Sequence, residues 1–504
     1  MHLDREACYR ALLTRDARFD GRFFIAVRTT GVYCRPICPA RPPKLENIIF
    51  MPSAAAAQEA GFRPCLRCRP EISPDLAAWN GTSSTVSRAL ALIAAGALDA
   101  DDMDGLAARL GMGERQLRRL FKKHLGASPK ALAQTRRTLF AKQLITDTRL
   151  PMAEVALAAG FGSVRRFNDT FRNLYGRAPR ALRRGEVTTT VADSAVTLTL
   201  PYKPPYDWPA MVGFLGPRAI PGVEHVRPAL YARTISLGGA HGTIAVRPAE
   251  PRQAAHALVA TIRFPVITAL PAIVERIRRI FDLGADPAII AEHLSADPQL
   301  ASLVAARPGL RVPGAWDGFE LAIRGILGQQ ISVAAATRLA GKLVAAYGTP
   351  LPLPDEPDAP DLRYVFPSPE RIIGNDPAAA LGMPGARGRA ILSMAVAAAA
   401  NRRLFEPSRS LEDAVARLRT LPGIGEWTAQ YIAMRALREP DAFPAADIGL
   451  LRASATAEGR PTPASLLIRA TAWRPWRAYA ALHLWTASAV TRGSTKERSL
   501  EAAA

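Results

Sequence analysis

The chain has 504 residues and a formal net charge of +21, from 65 lysines and arginines against 44 aspartates and glutamates. Its hydrophobic content of 49% and charged content of 22% exclude wholesale disorder, and its length predicts about three or four domains. The excess of basic residues indicates an anionic partner, with nucleic acid favoured over a membrane surface.

The beginning of the chain and the cysteine content indicate the compartment. The N-terminal residues Met1–Glu6 are charged and lack a signal-peptide core, and no stretch reaches the roughly 18 apolar residues of a membrane span. Five cysteines are too few for a disulfide-rich secreted scaffold. We therefore expect a soluble protein of a reducing compartment, in the cytoplasm.

Shifts in composition predict a multidomain protein that is mainly α with α+β parts. All the cysteines fall within 1–78, and a Ser/Thr linker over 81–85 leads into a helical, Arg-rich segment over 82–185. Alternating β-branched residues predict a mixed α/β domain over 193–305, and helical patterns return over 306–495.

The first predicted domain contains a metal-ligand pattern. Cys34 and Cys38 are separated by three residues, and Cys65 and Cys68 by two, a spacing that suits tetrahedral zinc. Such a small domain would gain folding free energy from a metal. The alternatives are two unrelated cysteine pairs or labile disulfides. Cys8 stands outside the pattern, and we expect it to be a buried or incidental thiol.

Two long segments of the first predicted domain match the sequence pattern of a known family. The segments Phe23–Arg41 and Ala60–Cys68 resemble the amino-terminal domain of the Ada adaptive-response family. The resemblance implies one zinc ion per chain and irreversible transfer of a methyl group from a DNA methylphosphotriester to Cys34. Methylation would make the cluster less negative and tighten DNA binding, and the basic neighbours Arg35 and Arg67 are predicted DNA contacts. A purely structural zinc is the alternative.

The second predicted domain contains an internal repeat. Phe121–Leu132 is echoed by Phe171–Leu182, and upstream of these Leu106–Met112 is echoed by Val155–Phe161, so that in each unit a glycine turn leads into a basic helix. The two copies resemble the AraC-type DNA-binding domain with its double helix-turn-helix. This implies sequence-specific binding to double-stranded DNA, activation of transcription and contact with RNA polymerase. The predicted DNA contacts are Arg115, Arg118, Arg119, Arg165 and Arg166.

The remainder of the chain contains a hairpin motif followed by an aspartate. Leu421–Gly425 lies between two helical patterns and has the sequence of a helix-hairpin-helix, whose backbone N–H groups can approach a phosphate. With the downstream Asp447 it resembles the helix-hairpin-helix DNA glycosylase superfamily. Three further segments narrow the resemblance to the AlkA-type alkylpurine glycosylases: Tyr202–Trp208, Arg324–Ser332 and Trp473–Tyr479. Members of that family have an α/β amino-terminal domain and an all-α catalytic domain.

This resemblance implies an active site. Asp447 would stabilise the positive charge that develops on the sugar when the base leaves, and could activate water. The alternative for Asp447 is a helix N-cap. The position of Trp427 is a lysine in bifunctional relatives, so the resemblance implies a monofunctional DNA-3-methyladenine glycosylase of type II. The base pocket is predicted at Gln329, Trp427, Tyr431 and Trp485.

The same resemblance implies contacts to the DNA backbone, although this sequence differs from the family archetype at two positions. Gly423 and Gly425 would meet a phosphate, and carbonyls of the hairpin bind a monovalent cation in relatives. Gln330 stands where the archetype has an intercalating leucine, and Ala446 where it has a second aspartate.

No cysteine follows Cys68, which argues against the second methyltransferase of Ada. We therefore expect a fusion that repairs alkylated DNA, regulates that response and associates with the bacterial nucleoid. One alternative is a transcription factor with a non-catalytic glycosylase-like half. The other alternative is a glycosylase whose front half serves only to tether it to DNA.

Overall fold

The structure is a computed structural model that describes residues 4–74, 84–94, 96–100, 102–183, 195–250, 256–351, 359, 361–456 and 459–487. Most of the predicted Ser/Thr linker and part of the predicted strand pattern before residue 195 lie outside the described residues. Within the described ranges, no helix combines the length and apolar character needed to cross a membrane.

The cysteine-bearing module is a small sheet with two helices. Its strands have the order β3-β1-β2-β4, with β1 antiparallel to both of its neighbours and β2 parallel to β4. The parallel pairing aligns Val32 with Arg63 and Tyr33 with Pro64, so the segments that follow these two strands emerge side by side. The elements are α1 (Arg5–Thr14), β1 (Phe24–Val27), β2 (Val32–Cys34), β3 (Ile48–Met51), α2 (Ala54–Glu59) and β4 (Arg63–Pro64).

The second module consists of two similar helical units joined by one long helix, α7. In each unit a short helix and a turn precede a second helix that ends at a left-handed glycine, Gly126 with φ +68° and Gly176 with φ +65°. The buried faces match as well, since Phe121 and Phe171 are fully buried. The elements are α3 (Ser84–Ala94), α4 (Ala97–Ala100), α5 (Met103–Arg109), α6 (Glu114–Leu125), α7 (Pro129–Asp147), α8 (Met152–Ala158) and α9 (Val164–Tyr175).

The third module is an antiparallel sheet of order β5-β9-β8-β7-β6 with helices packed against it. Alternating residues of β5, such as Leu198 and Leu200, are buried in the core, as the β-branched alternation predicts. The elements are β5 (Ala195–Pro201), α10 (Trp208–Leu215), β6 (Glu224–Arg227), β7 (Leu230–Leu237), β8 (Ala240–Pro248), β9 (Ala257–Arg263) and α11 (Leu270–Ile280).

The fourth module is helical and has the largest apolar core of the described chain. It also contains one short strand pair, β10–β11. Its elements are α12 (Pro287–Leu294), α13 (Pro298–Ala306), α14 (Gly318–Leu327), α15 (Val333–Tyr347), β10 (Thr349–Pro350), β11 (Tyr364–Val365), α16 (Pro369–Ile372), α17 (Pro377–Leu381), α18 (Gly385–Ala400), α19 (Leu411–Arg419), α20 (Glu426–Arg435), α21 (Ile448–Ala453), α22 (Pro463–Arg469) and α23, described over 477–487. The predicted fold class, multidomain and mainly α with α+β parts, is confirmed.

Buried ion pairs join the modules. Lys142 of α7 meets Glu71 of the cysteine-bearing module at 3.0 Å, and Arg22 of the same module meets Asp286 of the helical module at 2.8 Å. Separating the first pair would leave the Lys142 charge buried without its partner, which is strongly destabilising, whereas Asp286 of the second pair also has Lys203 as a partner. The pairs therefore favour one relative placement of the modules.

Candidate functional site

Four cysteine sulfurs meet at the end of the small sheet. The Sγ atoms of Cys34, Cys38, Cys65 and Cys68 all lie within 4.8 Å of one another. Cys34 ends β2 and Cys65 follows β4, so the parallel strand pair brings the two cysteine pairs together. Zinc–sulfur bonds of about 2.3 Å in a tetrahedron place the sulfurs roughly 3.8 Å apart, which this cluster accommodates. The residues therefore fit the predicted zinc ion.

Cys34 is the most accessible of the four ligands. Cys38, Cys65 and Cys68 are 4%, 7% and 6% exposed, whereas Cys34 is partly exposed.

The expectation that Arg35 contacts DNA is corrected by the structure, because its side chain points into the protein. Arg35 is 7% exposed, and its Nε donates a hydrogen bond to Oδ1 of Asp20 at 2.9 Å. One terminal nitrogen donates to the carbonyl oxygen of Cys68 at 3.1 Å, and the Arg35 backbone N–H donates to the Cys68 sulfur at 3.4 Å. Arg35 thus braces the cysteine loops, while Arg67 remains exposed.

Cys8 lies apart from the cluster, on α1, in an apolar pocket with Phe23 and Ile25. It is 4% exposed, and burial, followed by the charge of Asp4, raises the pKa of its thiol to about 11. The prediction of a buried thiol is confirmed.

The outer faces of α6 and α9 are basic. On α6, Arg118 forms an i,i+4 ion pair with Glu114 at 2.6 Å, and this pair reduces the local positive charge of the helix. Each helix thus presents guanidinium groups at the position of a recognition helix. The predicted DNA contacts Arg115, Arg118, Arg119, Arg165 and Arg166 are all exposed.

A cavity of about 1330 Å³ opens between the third and fourth modules. It exceeds the roughly 300–1,000 Å³ of typical small-molecule pockets, so it has room for a nucleotide rather than a base alone. The cavity is lined by every residue of the predicted base pocket, by the predicted catalytic residue and by two predicted DNA contacts, although they are distant in sequence: Gln329, Trp427, Tyr431 and Trp485; Asp447; and Gln330 and Gly425.

Asp447 stands at the N-terminus of α21 and faces the cavity. Its Oδ1 accepts hydrogen bonds from the backbone N–H of Leu450 at 3.0 Å and from Nε1 of Trp485 at 2.8 Å. Its Oδ2 accepts a bond from Nε1 of Trp427 at 2.9 Å. Asp447 is therefore an N-cap and a cavity carboxylate at once, and three N–H donors fix its orientation.

Trp427 also stacks on Tyr431, with ring centroids 5.3 Å apart and planes 7° apart. The two tryptophans thus do more than the stacking predicted for them, because their indole N–H groups hold the carboxylate. The sequence could not reveal these bonds, since they require α20, α21 and α23 to converge.

Two arginines at this cavity were missed by the sequence analysis. Arg435 donates a hydrogen bond to the Tyr431 hydroxyl at 2.6 Å, and the Arg218 guanidinium lies 3.9 Å from the ring centroid of Phe214. Burial raises the pKa of Tyr431, but Arg435 and Arg218 outweigh it, so this pKa is lowered. The i,i+4 spacing of Tyr431 and Arg435 on one helix is the signal that could have found Arg435.

The turn between α14 and α15 meets the hairpin. The side-chain amide of Gln329 donates to the carbonyl oxygen of Gly423 at 2.9 Å and to Oγ1 of Thr428 at 3.0 Å, so Gln329 braces the hairpin as well as lining the cavity. Gln330 is exposed at the tip of the turn with φ +59°, a conformation that costs free energy for a residue with a side chain. Gly423 and Gly425 are exposed in the hairpin, and Gly425 precedes the first residue of α20.

Comparison with family models covers three parts of the chain. The metal binding domain of Ada matches residues 7–71, a helix-turn-helix domain matches 106–185, and the AlkA N-terminal domain matches 197–317. Together with the cysteine cluster and the cavity, these matches define a zinc-binding, DNA-binding protein that unites regulation with DNA repair.

Whole-chain relatives make the assignment specific. A probable bifunctional transcriptional activator/DNA repair enzyme AlkA of Mycobacterium tuberculosis is 45% identical over 491 residues, 96% of this chain and 97% of that protein. The chain belongs to this family of bifunctional transcriptional activators and DNA repair enzymes, which joins an Ada-type methyl-acceptor domain to a DNA glycosylase.

Relatives of the separate parts agree with this assignment. DNA-3-methyladenine glycosylase 2 of Escherichia coli is 38% identical over 290 residues, 57% of this chain and 96% of that protein. The solved 3-methyladenine DNA glycosylase of Archaeoglobus fulgidus shares the fold, with a TM-score of 0.50 at 22% identity, over 57% of this chain and 97% of that one.

Proposed function

We propose that the carboxy-terminal half excises alkylated purines of the 3-methyladenine type by monofunctional hydrolysis at Asp447. The observation that carries the proposal is the carboxylate held by Trp427 and Trp485 at the wall of a nucleotide-sized cavity. The similarity to a protein named DNA-3-methyladenine glycosylase 2 supports the choice of substrate.

The chemistry follows from where charge develops. Alkylation of a ring nitrogen makes the base cationic, so the bond between the base and C1′ of the sugar breaks with its electron pair moving to the base. Asp447 stabilises the positive charge that forms on the sugar, and it can accept the proton of the water that adds to C1′. Trp427 supplies no amine for a Schiff base, so the strand is not cleaved. Gln330 fills the space that the flipped nucleotide leaves, and Gly423 and Gly425 approach the DNA backbone.

The hairpin is also the proposed site of a monovalent cation, held by backbone carbonyls near Leu421 and Ile424. Lone pairs of backbone carbonyls are suitable ligands for such an ion. Gln329 supports this segment by its bond to the Gly423 carbonyl.

In the front half, we propose that Cys34 accepts a methyl group from a DNA methylphosphotriester. The sulfur–carbon bond forms while the carbon–oxygen bond breaks, and the phosphodiester leaves with the bonding electrons. Zinc, when bound, keeps the Cys34 sulfur deprotonated and nucleophilic. Partial exposure of Cys34 beside three buried cysteines supports this assignment. The thioether lowers the negative charge of the cluster, which strengthens DNA binding and favours activation through RNA polymerase at the nucleoid.

Release of free methylpurine from alkylated DNA tests the enzyme, with Asp447→Asn as the diagnostic variant. We expect excision to fall at least about 100-fold, because a transition-state charge loses its partner. Asparagine caps helices as well as aspartate does, so α21 should persist. Asp376→Asn, which changes the N-cap of α17, is the matched control and should retain full excision.

Methyl acceptance is measured in parallel by mass spectrometry of the protein after incubation with methylphosphotriester DNA. We expect Cys34→Ser to lose acceptance while keeping excision, and Asp447→Asn to do the reverse. Absence of excision by the folded wild-type chain would favour the alternative of a non-catalytic glycosylase-like half. Full acceptance by Cys34→Ser would contradict the assignment of Cys34.

A further inference from the structure

A loop of the glycosylase half lies against the first helix-turn-helix unit. This loop, residues 401–410, connects α18 to α19. Arg88 of α3 donates two hydrogen bonds to the Glu439 carboxylate, at 2.8 and 2.9 Å, and a third to the backbone carbonyl of Arg409 at 2.8 Å. Arg109 of α5 pairs with Glu406 of the loop at 2.7 Å.

These contacts hold the loop in a defined position. Arg88 is 9% exposed and Glu439 is 6% exposed, so the two charges are desolvated and satisfy each other in a bidentate pair. Separating α3 from the glycosylase half would leave both charges buried without partners, and the bond from Arg88 to the Arg409 carbonyl ties the loop to this fixed pair. The loop is therefore part of the surface of the helix-turn-helix module.

The side chain of Arg409 reaches the turn that precedes the first recognition helix. A Cβ atom placed on Gly111 would lie only 2.6 Å from Cδ of Arg409, so the arginine stem rests on this glycine. Gly113, two residues later, is the N-cap of α6. The N-terminal end of a recognition helix is the end that enters the major groove.

The guanidinium of Arg409 is available to an anion. The side chain is exposed, and within the described part of the chain no hydrogen bond or ion pair occupies its guanidinium. Arg402 and Arg403 are exposed in the same loop and add positive charge. Basic side chains beside a groove-bound helix commonly contact the phosphates, so with α6 in the groove Arg409 would be placed to meet the sugar–phosphate backbone at the groove edge.

We propose that Arg409 binds a backbone phosphate of double-stranded DNA next to the groove that receives α6. The glycosylase half is then a component of the regulator's DNA-binding surface and not only a second activity on the same chain. This inference rests on the proposed sequence-specific binding by the helix-turn-helix units.

The test measures DNA affinity of the full chain at several salt concentrations. The probes are the duplex that the wild-type chain selects from a randomised library and an unselected duplex of the same length. We expect Arg409→Ala to weaken binding to both roughly fivefold at 0.15 M salt and to reduce the slope of log affinity against log salt by about 1, because one phosphate contact is lost. Arg409→Glu should weaken binding further.

Arg247→Ala is the matched control, since it removes the same charge from an exposed position on β8. The single-turnover rate of methylpurine excision by Arg409→Ala, at protein concentrations that saturate the DNA, should equal that of the wild type, which shows that the glycosylase half is folded. Equal affinity and salt slope for Arg409→Ala and Arg247→Ala would overturn the proposal, and so would tighter binding by Arg409→Ala, because the loop would then obstruct DNA. Failure of the wild-type chain to select any sequence would instead count against the proposed regulatory function.

Discussion

The cysteine centre and the Asp447 cavity are assembled in opposite ways. The four cysteines lie between residues 34 and 68, and one parallel strand pair is sufficient to bring them together. The cavity takes its wall from residues between 209 and 486, on two modules and several helices. A site of the first kind depends on a short segment and its metal, whereas a site of the second kind depends on the whole core of the carboxy-terminal half.

The two sites also place their reactive groups differently. Cys34 is the most exposed residue of an otherwise buried cluster. Asp447 is positioned by hydrogen bonds from Trp427 and Trp485, which belong to other helices. Small changes in helix packing should therefore affect Asp447 and leave Cys34 unchanged.

Removal of zinc should produce the largest difference between the activities of the two sites. Structural zinc contributes about 10–16 kcal/mol of apparent binding free energy in small zinc domains, so chelation should unfold residues 4–74 and abolish methyl acceptance. Excision should persist, because no residue of this module lines the cavity and Asp286, which loses Arg22, keeps its ion pair with Lys203. Limited proteolysis and the release assay, before and after chelation, measure both effects. Loss of excision in parallel with methyl acceptance would show that the cavity depends on the folded zinc module.

Removing a single indole N–H that binds Asp447 should lower the rate of excision and leave methyl acceptance unchanged. Trp427→Phe and Trp485→Phe each keep an aromatic ring but remove one hydrogen bond to Asp447, a bond to a charged group worth about 1.5–3 kcal/mol. We expect excision to fall roughly tenfold to 100-fold in each variant, measured under single-turnover conditions.

Trp473→Phe is the matched control for this pair, since it removes an indole bond of 2.9 Å to Asp297, a residue that does not line the cavity. It should lower thermal stability and leave the single-turnover excision rate of the folded protein unchanged. An equal loss of rate in all three variants would mean that the tryptophans act through stability alone.

Acid should produce the smallest effect, on the stability of the carboxy-terminal half. Burial lowers the pKa of His483, on α23, to about 4 from its ordinary 6.5. The unfolded chain therefore binds more protons than the folded chain between these values, and stability is lost as the pH falls through this window. The expected loss between pH 7 and pH 5 is about 2 kcal/mol.

Urea unfolding at the two pH values, monitored through the tryptophans, measures this loss. His483→Gln should be less sensitive to acid than the wild type, whereas His256→Gln, at an exposed histidine, should behave like the wild type. Identical acid sensitivity in all three proteins would contradict the contribution of His483.

Local spacing predicted much of the protein. The cysteine spacing, the repeat with its two terminal glycines and the hairpin before Asp447 each lie within a few dozen residues, so short-range geometry constrains them. Arg35 shows the limit of such reasoning, because its position next to Cys34 suggests a surface cation although the fold directs it to Asp20.

The sequence by itself determined which chemical groups are present and how they are grouped along the chain. Only the tertiary structure decided which indoles hold Asp447, and that Arg88 pairs with Glu439, 351 positions away, so that Arg409 reaches the first helix-turn-helix. The physical reason is that hydrogen bonds and ion pairs act over a few ångströms. Groups that are distant in sequence therefore interact only after the burial of apolar surface has brought their helices together.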